Sequence, residues 1–327
     1  MKHNVKVTAI LLGMFLISQI IGLMVINAYS PEQVEVVNAS TGQIENITVS
    51  PEIPYGMQPP ETKPEEGIIM LFSAIIIATI LILILRRINA IVLIRIWFFS
   101  VIAVSIAISL YGFLGNIFRQ NLQIVDLNLS LLAVVLALPL TFYKVFERNI
   151  IVHNLTELLI YPGIAVVFIP ILNIYTAIIL LIAIALYDVY AVWHAKFMQK
   201  LAKFQIQKLG VFTGFYLPYV ARKDRVKLGR IRSIAKKQGS KEAEKLLKKM
   251  KIKVNLAILG GGDITFPMIF SGVLLRSMGL PAALVVTAAS TLSLLLLFIL
   301  AKKGKFYPAM LFLSPACILG YFIALLF

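Results

Sequence analysis

Long apolar segments dominate this chain and decide what it can fold into. Of its 327 residues, 60% are hydrophobic, and nine apolar runs of about 20 residues follow one another. Each run is long enough to cross a bilayer as a helix. The alternating ten-residue segments typical of a membrane barrel do not occur in the sequence. The sequence therefore predicts an integral, multi-pass membrane protein of the all-α class.

The expected membrane spans are 8–28, 67–85, 91–114, 122–143, 151–169, 174–194, 254–275, 280–300 and 306–326. They divide the chain into an N-terminal membrane part (1–195), a loop (196–253) and a C-terminal membrane part (254–327). The first apolar run, of about 21 residues, is longer than the core of a signal peptide, so we expect a retained helix. The polar, proline-rich segment 29–66 then forms an external loop.

The positive charge of the chain is concentrated in one loop. The net charge is +16, and residues 196–253 hold 18 of the 31 lysines and arginines. No nucleic-acid-binding motif accompanies them, so we expect membrane lipids rather than nucleic acid as partners. Within this loop, the apolar segment 209–220 is too short to span and is expected to form an interfacial or re-entrant piece.

Basic residues also predict the orientation in the membrane. With the N-terminus in the cytoplasm, 28 of the 31 lysines and arginines face inward, and only Lys63, Arg119 and Arg276 face outward. By the positive-inside rule, the N-terminus and loop 196–253 are cytoplasmic and the C-terminus is external.

Two aspartates lie inside consecutive apolar runs. An aspartate in the middle of a membrane helix costs about 2.5–3.5 kcal/mol, so Asp188 and Asp263 require a function. Helix counting places both about 12–15 Å below the cytoplasmic ends of antiparallel helices. Two adjacent carboxylates can share a proton and activate water, which is the chemistry of aspartic peptide hydrolysis.

The residues around the aspartates are small and leave space beside the carboxylates. They do not predict a metal site. Gly260, Gly261 and Gly262 precede Asp263, lower helix propensity and remove side-chain bulk around the acid. The three histidines lie far apart, and Cys317 is the single cysteine, so we expect no metal site. His153 and Glu157, near the start of a span, are expected to be interfacial and solvated.

Three short motifs make the sequence resemble a known family. Tyr187-Asp188 and Gly260-Gly261-Gly262-Asp263 resemble the YD and GxGD motifs of the presenilin and signal-peptide-peptidase family. Pro308-Ala309-Met310 is similar to its Pro-Ala-Leu motif, with the leucine replaced by a residue of similar volume. An archaeal or other prokaryotic member, in the cell membrane, would combine these motifs with this charge placement.

The resemblance implies a presenilin-like fold and an enzyme that hydrolyses transmembrane helices of single-span proteins or signal peptides. It implies that Asp188 and Asp263 are catalytic and that no metal or organic cofactor is needed. It also implies a group of residues that shape the active site around the substrate: Tyr187, Gly260, Gly262, Pro308, Ala309 and Met310.

The same residues also fit other functions. A transporter or channel would also use intramembrane carboxylates, with Arg95, Asp126 or Glu157 as further members of an ion path. Prepilin peptidases share the GxGD motif, but their shorter architecture fits nine spans poorly. A catalytically inactive scaffold would not require both aspartates. The segment Pro281-Ala282-Ala283-Leu284 is an alternative candidate for the third motif.

Overall fold

The computed structural model describes residues 5–37, 44–49, 51–58, 63–88, 90–118, 126–147, 149–194, 212–220, 254–301 and 307–327. Within these ranges the protein is mostly helical. Its α-helices are α1 (Val5–Asn27), α2 (Pro64–Arg87), α3 (Ile91–Phe118), α4 (Asp126–Phe146), α5 (Ile150–Phe168), α6 (Ile174–Val189), α7 (Gly261–Met278), α8 (Leu280–Leu300) and α9 (Met310–Ala324).

The expected count of nine membrane spans is supported only in part. Six helices of the described ranges are long and apolar enough to cross a membrane: α1, α3, α4, α5, α6 and α8. In α2 the described apolar stretch is limited to Ile69–Leu81, and α9 has 15 residues. Hydropathy and length therefore establish a multi-pass membrane protein, whereas spanning by α2, α7 and α9 stays a prediction.

Local sequence signals fix several helix ends. Asn149 caps α5, because its side-chain oxygen accepts hydrogen bonds from the backbone N–H groups of Ile151 and Val152. Asn173 and Thr176 form a capping box at the start of α6. Gly279 separates α7 from α8 with a φ of 87°, a backbone conformation that favours glycine. These caps agree with the span boundaries expected near residues 151, 174 and 280.

The fold is mostly helical, as expected, and two antiparallel hairpins that the sequence did not predict accompany the helices. Strands β1 (Glu32–Val37) and β2 (Ile44–Val49) pair within the loop 29–66. Strands β3 (Gly214–Val220) and β4 (Val254–Gly260) pair with Gly214 opposite Gly260. The second hairpin lies between α6 and α7 in the chain.

The seventh helix begins later than the expected span 254–275. The first seven residues of that expected span form β4, and α7 starts at Gly261. The three successive glycines disfavour a helix that continues through them, and the strand obtains its hydrogen bonds from β3. The segment 209–220, expected to be interfacial or re-entrant, supplies that partner strand; residues 209–211 lie outside the described ranges.

Helix α7 occupies the centre of the molecule, where it packs against α1, α5, α6, α8 and α9. Gln19 of α1 donates a hydrogen bond of 2.9 Å to the carbonyl oxygen of Ile264, so a polar contact ties these two helices together in the apolar interior. Gly22 allows the close approach, since a Cβ atom there would lie 2.5 Å from the sulfur of Met268. The central position of α7 holds Asp263 among surrounding helices.

Candidate functional site

Asp188 and Asp263 lie at the ends of their helices rather than at mid-helix. Asp188 is the last residue but one of α6, which continues as a single wide turn over Tyr190–His194. Asp263 is in the first turn of α7, directly after β4. The expected depth of 12–15 Å within regular helix is therefore wrong for Asp263, since a strand replaces the preceding helical turns.

The Asp188 carboxylate faces the beginning of α9. Its Oδ2 accepts a hydrogen bond of 3.1 Å from the backbone N–H of Met310, and the N–H of Ala309 also interacts with the carboxylate. Asp188 is 7% exposed. Free N–H groups and the positive end of the helix dipole stabilise a negative charge at this position. The Pro308-Ala309-Met310 segment is therefore an anchor for Asp188, and all three residues are buried.

The position of α9 against α6 is fixed by a second contact. Ser314 donates a hydrogen bond of 3.0 Å to the carbonyl oxygen of Leu181, two turns before Asp188. This bond and the Met310 contact hold the two helices in one register.

The Asp263 carboxylate folds back over its own helix start. It interacts with the backbone N–H of Gly260, and a Cβ atom on Gly260 would lie only 3.0 Å from Asp263 Oδ2. Helices α6 and α7 pack against each other, and Asp188 lies near enough for its charge to act on Asp263. Asp263 is partly exposed, which leaves an approach to the pair.

Of the other residues expected at the site, Gly260 contacts an aspartate, whereas Gly262 and Tyr187 are exposed. Gly260 contacts the Asp263 carboxylate, as described above. Gly262 is exposed, so it lies on the open side. The Tyr187 side chain is 50% exposed and faces outward from α6. The alternative motif Pro281-Ala282-Ala283-Leu284 lies at the start of α8, on the far side of Gly279 from α7.

A buried polar cluster beside the site was not expected from the sequence. Glu157 is fully buried and accepts a hydrogen bond from the Lys144 ammonium group, which is also buried. His153 Nε2 donates to the Gly214 carbonyl oxygen at 2.9 Å, and its Nδ1 lies 3.3 Å from Lys144 Nζ. The expectation of solvated, interfacial His153 and Glu157 is wrong, because Lys144 from another helix is their partner.

The second hairpin is fastened to α5 along one edge. Asn154 donates from Nδ2 to the Tyr216 carbonyl oxygen at 3.0 Å and accepts from the Tyr216 N–H at 3.2 Å. A side-chain amide thus occupies the outer edge of β3, as a neighbouring strand would. Within the described ranges, no strand pairs with the outer edge of β4, which leads into Asp263.

Comparisons with known proteins agree with this arrangement. A protein-family model described as signal-peptide peptidase, presenilin aspartyl protease matches residues 12–327. One solved structure of a presenilin family intramembrane aspartate protease, in space group C222, is similar with a TM-score of 0.58 and 15% identity over 98% of each chain. A second, in space group P2, has a TM-score of 0.55 and 16% identity over 97% of this chain and 96% of that chain. No curated protein sequence matches the chain.

Proposed function

Because the chain belongs to the signal-peptide peptidase, presenilin aspartyl protease family, we propose that Asp188 and Asp263 are its catalytic pair. As a family member, the protein is an aspartic endopeptidase of the intramembrane-cleaving kind. The observation that supports the assignment is that Asp188, bound at the start of α9, lies near enough to Asp263 of α7 for its charge to act on that carboxylate.

The proposed reaction uses the two carboxylates and one water molecule. Because they lie close together, they share a single proton. The ionised carboxylate takes a proton from the water, which attacks the scissile carbonyl carbon, and the protonated carboxyl donates to the carbonyl oxygen. The roles then reverse as the amine leaves. The backbone N–H of Met310 binds Oδ2 of Asp188 and so fixes the orientation of this carboxylate.

The substrate must be unwound before it is cut, because a helix hides its peptide carbonyls in hydrogen bonds. The outer edge of β4 can bind the unwound segment as an added strand, since α5 already occupies the edge of β3. We propose that Gly262 and Pro308-Ala309-Met310 shape the cleft that holds the unwound segment. We propose single-span membrane proteins or signal peptides as substrates.

The proposed orientation places the site near the cytoplasmic face. With the N-terminus inside, α6 runs inward to Asp188 and α7 runs outward from Asp263, so both acids lie at inner helix ends. The charge distribution supports this orientation, with loop 196–253 cytoplasmic and the C-terminus external.

Separate replacement of each aspartate tests the proposal. We expect Asp188→Asn and Asp263→Asn to abolish cleavage of a single-span substrate in proteoliposomes, with peptide products followed by mass spectrometry. Both variants keep the side-chain size, so the thermal midpoint should stay near that of the wild type. The exposed Glu147, replaced by Gln, is the matched control and should cut normally.

Two results would contradict the proposal. Cleavage that persists in either aspartate variant would remove the pair from the reaction. Ion flux through the same proteoliposomes, without peptide products, would instead support a transporter or channel.

A further inference from the structure

The buried ion pair beside the site lacks a role in the reaction described above. Lys144 of α4 and Glu157 of α5 are both removed from solvent, and His153 completes the group. Charged groups are expensive inside a membrane protein and are retained mainly where they pair and serve a function. These charged groups lie near the second hairpin and near the first turn of α7, which carries Asp263. A role in positioning Asp263 would explain why they are retained.

Tyr161 connects this cluster to the catalytic segment. It lies four residues after Glu157, on the same face of α5. Its ring packs edge-on against Phe215 of β3, with ring centroids 5.8 Å apart. Its hydroxyl lies against Gly261, where an added Cβ atom would be 3.3 Å from the hydroxyl oxygen. Asp263 lies two residues after Gly261, and its charge acts on Tyr161.

Two polar atoms in this region are buried and make no well-formed hydrogen bond among the described residues, although the Tyr161 hydroxyl and the Glu157 side chain interact with each other. They are the Tyr161 hydroxyl and Glu157 Oε2. Buried polar groups in native proteins nearly always have a partner, so each such atom calls for an explanation. If residue 161 served only packing, a phenylalanine would be more stable there, because burying a poorly bonded hydroxyl costs free energy.

We propose that Tyr161, held by the Lys144–Glu157 pair, is a positioning residue for Asp263. The Tyr161 hydroxyl has a single proton, which it shares with the Glu157 carboxylate in the free enzyme and donates to the Asp263 carboxylate when substrate is bound. Glu157 is itself fixed by Lys144, and His153 ties the same cluster to the β3 backbone at Gly214. The inference rests on the proposed catalytic role of Asp263.

A Tyr161→Phe variant of the full chain tests this role. The ring contact with Phe215 is retained, so folding and substrate binding should not change. We expect kcat for a single-span substrate to fall about tenfold, the equivalent of about 1.4 kcal/mol, with an unchanged KM and an unchanged or higher thermal midpoint. A purely structural hydroxyl would not separate kcat from KM in this way.

Tyr29→Phe is the matched control. The Tyr29 hydroxyl is also buried, but it donates to the Ile108 carbonyl oxygen at 2.8 Å, away from the aspartates. Its removal should lower the thermal midpoint and leave kcat unchanged. Wild-type kcat in Tyr161→Phe, or an equal loss of kcat in both variants, would overturn the proposal.

The support from Glu157 is tested by a conservative change. Glu157→Asp keeps a charge for Lys144 but withdraws the carboxylate by one methylene, so kcat should fall several-fold at constant KM. An unchanged kcat would remove Glu157 from the proposal. Asp263→Asn separates this inference from the proposed function: if that variant still cuts, the catalytic pair fails whatever Tyr161→Phe does. If only Tyr161→Phe behaves as wild type, the positioning role alone fails.

Discussion

Gly260 leaves no room for a side chain beside the Asp263 carboxylate. Its φ of −65° suits any residue, so glycine is required here for space and not for backbone conformation. The next two glycines are also crowded, since Cβ atoms on Gly261 and Gly262 would lie 3.1 Å from Tyr161 and 3.3 Å from Phe266. At the residue scale, the three glycines therefore allow neighbouring groups to approach closely around Asp263.

Gly260→Ala tests this crowding. The added methyl group would displace Asp263 Oδ2 from its place over the strand end, so we expect at least a tenfold loss of kcat with little change in thermal midpoint. Gly13→Ala is the control, because a Cβ atom there meets nothing within 4 Å. Equal activity of the two variants would show that the Asp263 carboxylate is free to move aside.

Helix α5 is the element that organises the surroundings of the site. It carries the Asn154 amide that holds β3 and the Tyr161 ring that lies against Gly261. It also crosses α3 in direct contact, because a Cβ atom on Gly163 would lie 1.9 Å from the Ser105 carbonyl oxygen. Small residues at helix crossings allow this close backbone approach in membrane proteins.

Gly163→Ala should therefore destabilise the protein by forcing α3 and α5 apart. Overpacking costs about 1–3 kcal/mol or more, so we expect a thermal midpoint several degrees lower in detergent. Gly13→Ala again serves for comparison and should melt like the wild type. A normal midpoint for Gly163→Ala would mean that the crossing can widen at no cost.

At the scale of the whole molecule, hydropathy predicted the helices better than it predicted their ends. The apolar run 254–275 looks like one helix, since periodicity cannot distinguish a short buried strand from a helical segment. The partner strand, Gly214–Val220, lies more than 30 residues earlier, so no local pattern reveals the pairing. The division into parts 1–195, 196–253 and 254–327 stays a prediction.

The candidate site shows the same limit. Asp188, Asp263 and Pro308-Ala309-Met310 were found because each carries a local signal, a costly charge or a motif. Tyr161 carries none, since a tyrosine in an apolar run is ordinary. The burial of Glu157 depends on Lys144 from a different helix, which only the packed structure brings beside it.

The proposed orientation of the molecule can be measured by cysteine labelling. Cys317, the single cysteine, is buried and can be replaced by alanine. On that background, Glu52→Cys in loop 29–66 should react with a membrane-impermeant maleimide added to intact cells. Ser240→Cys in loop 196–253 should react only after permeabilisation. The opposite pattern would invert the orientation and place both aspartates near the external face.

The position of Asp263 in the first turn of α7 also determines how unequal the two products of a cut are. From Asp263 to Met278 the helix continues for about 15 residues, a rise of about 22 Å toward the external side in the proposed orientation. A substrate lying alongside would be severed close to its inner boundary. The inward fragment would then carry only a short apolar segment and be released into the cytoplasm. The outward fragment would keep most of the transmembrane helix and stay in the membrane.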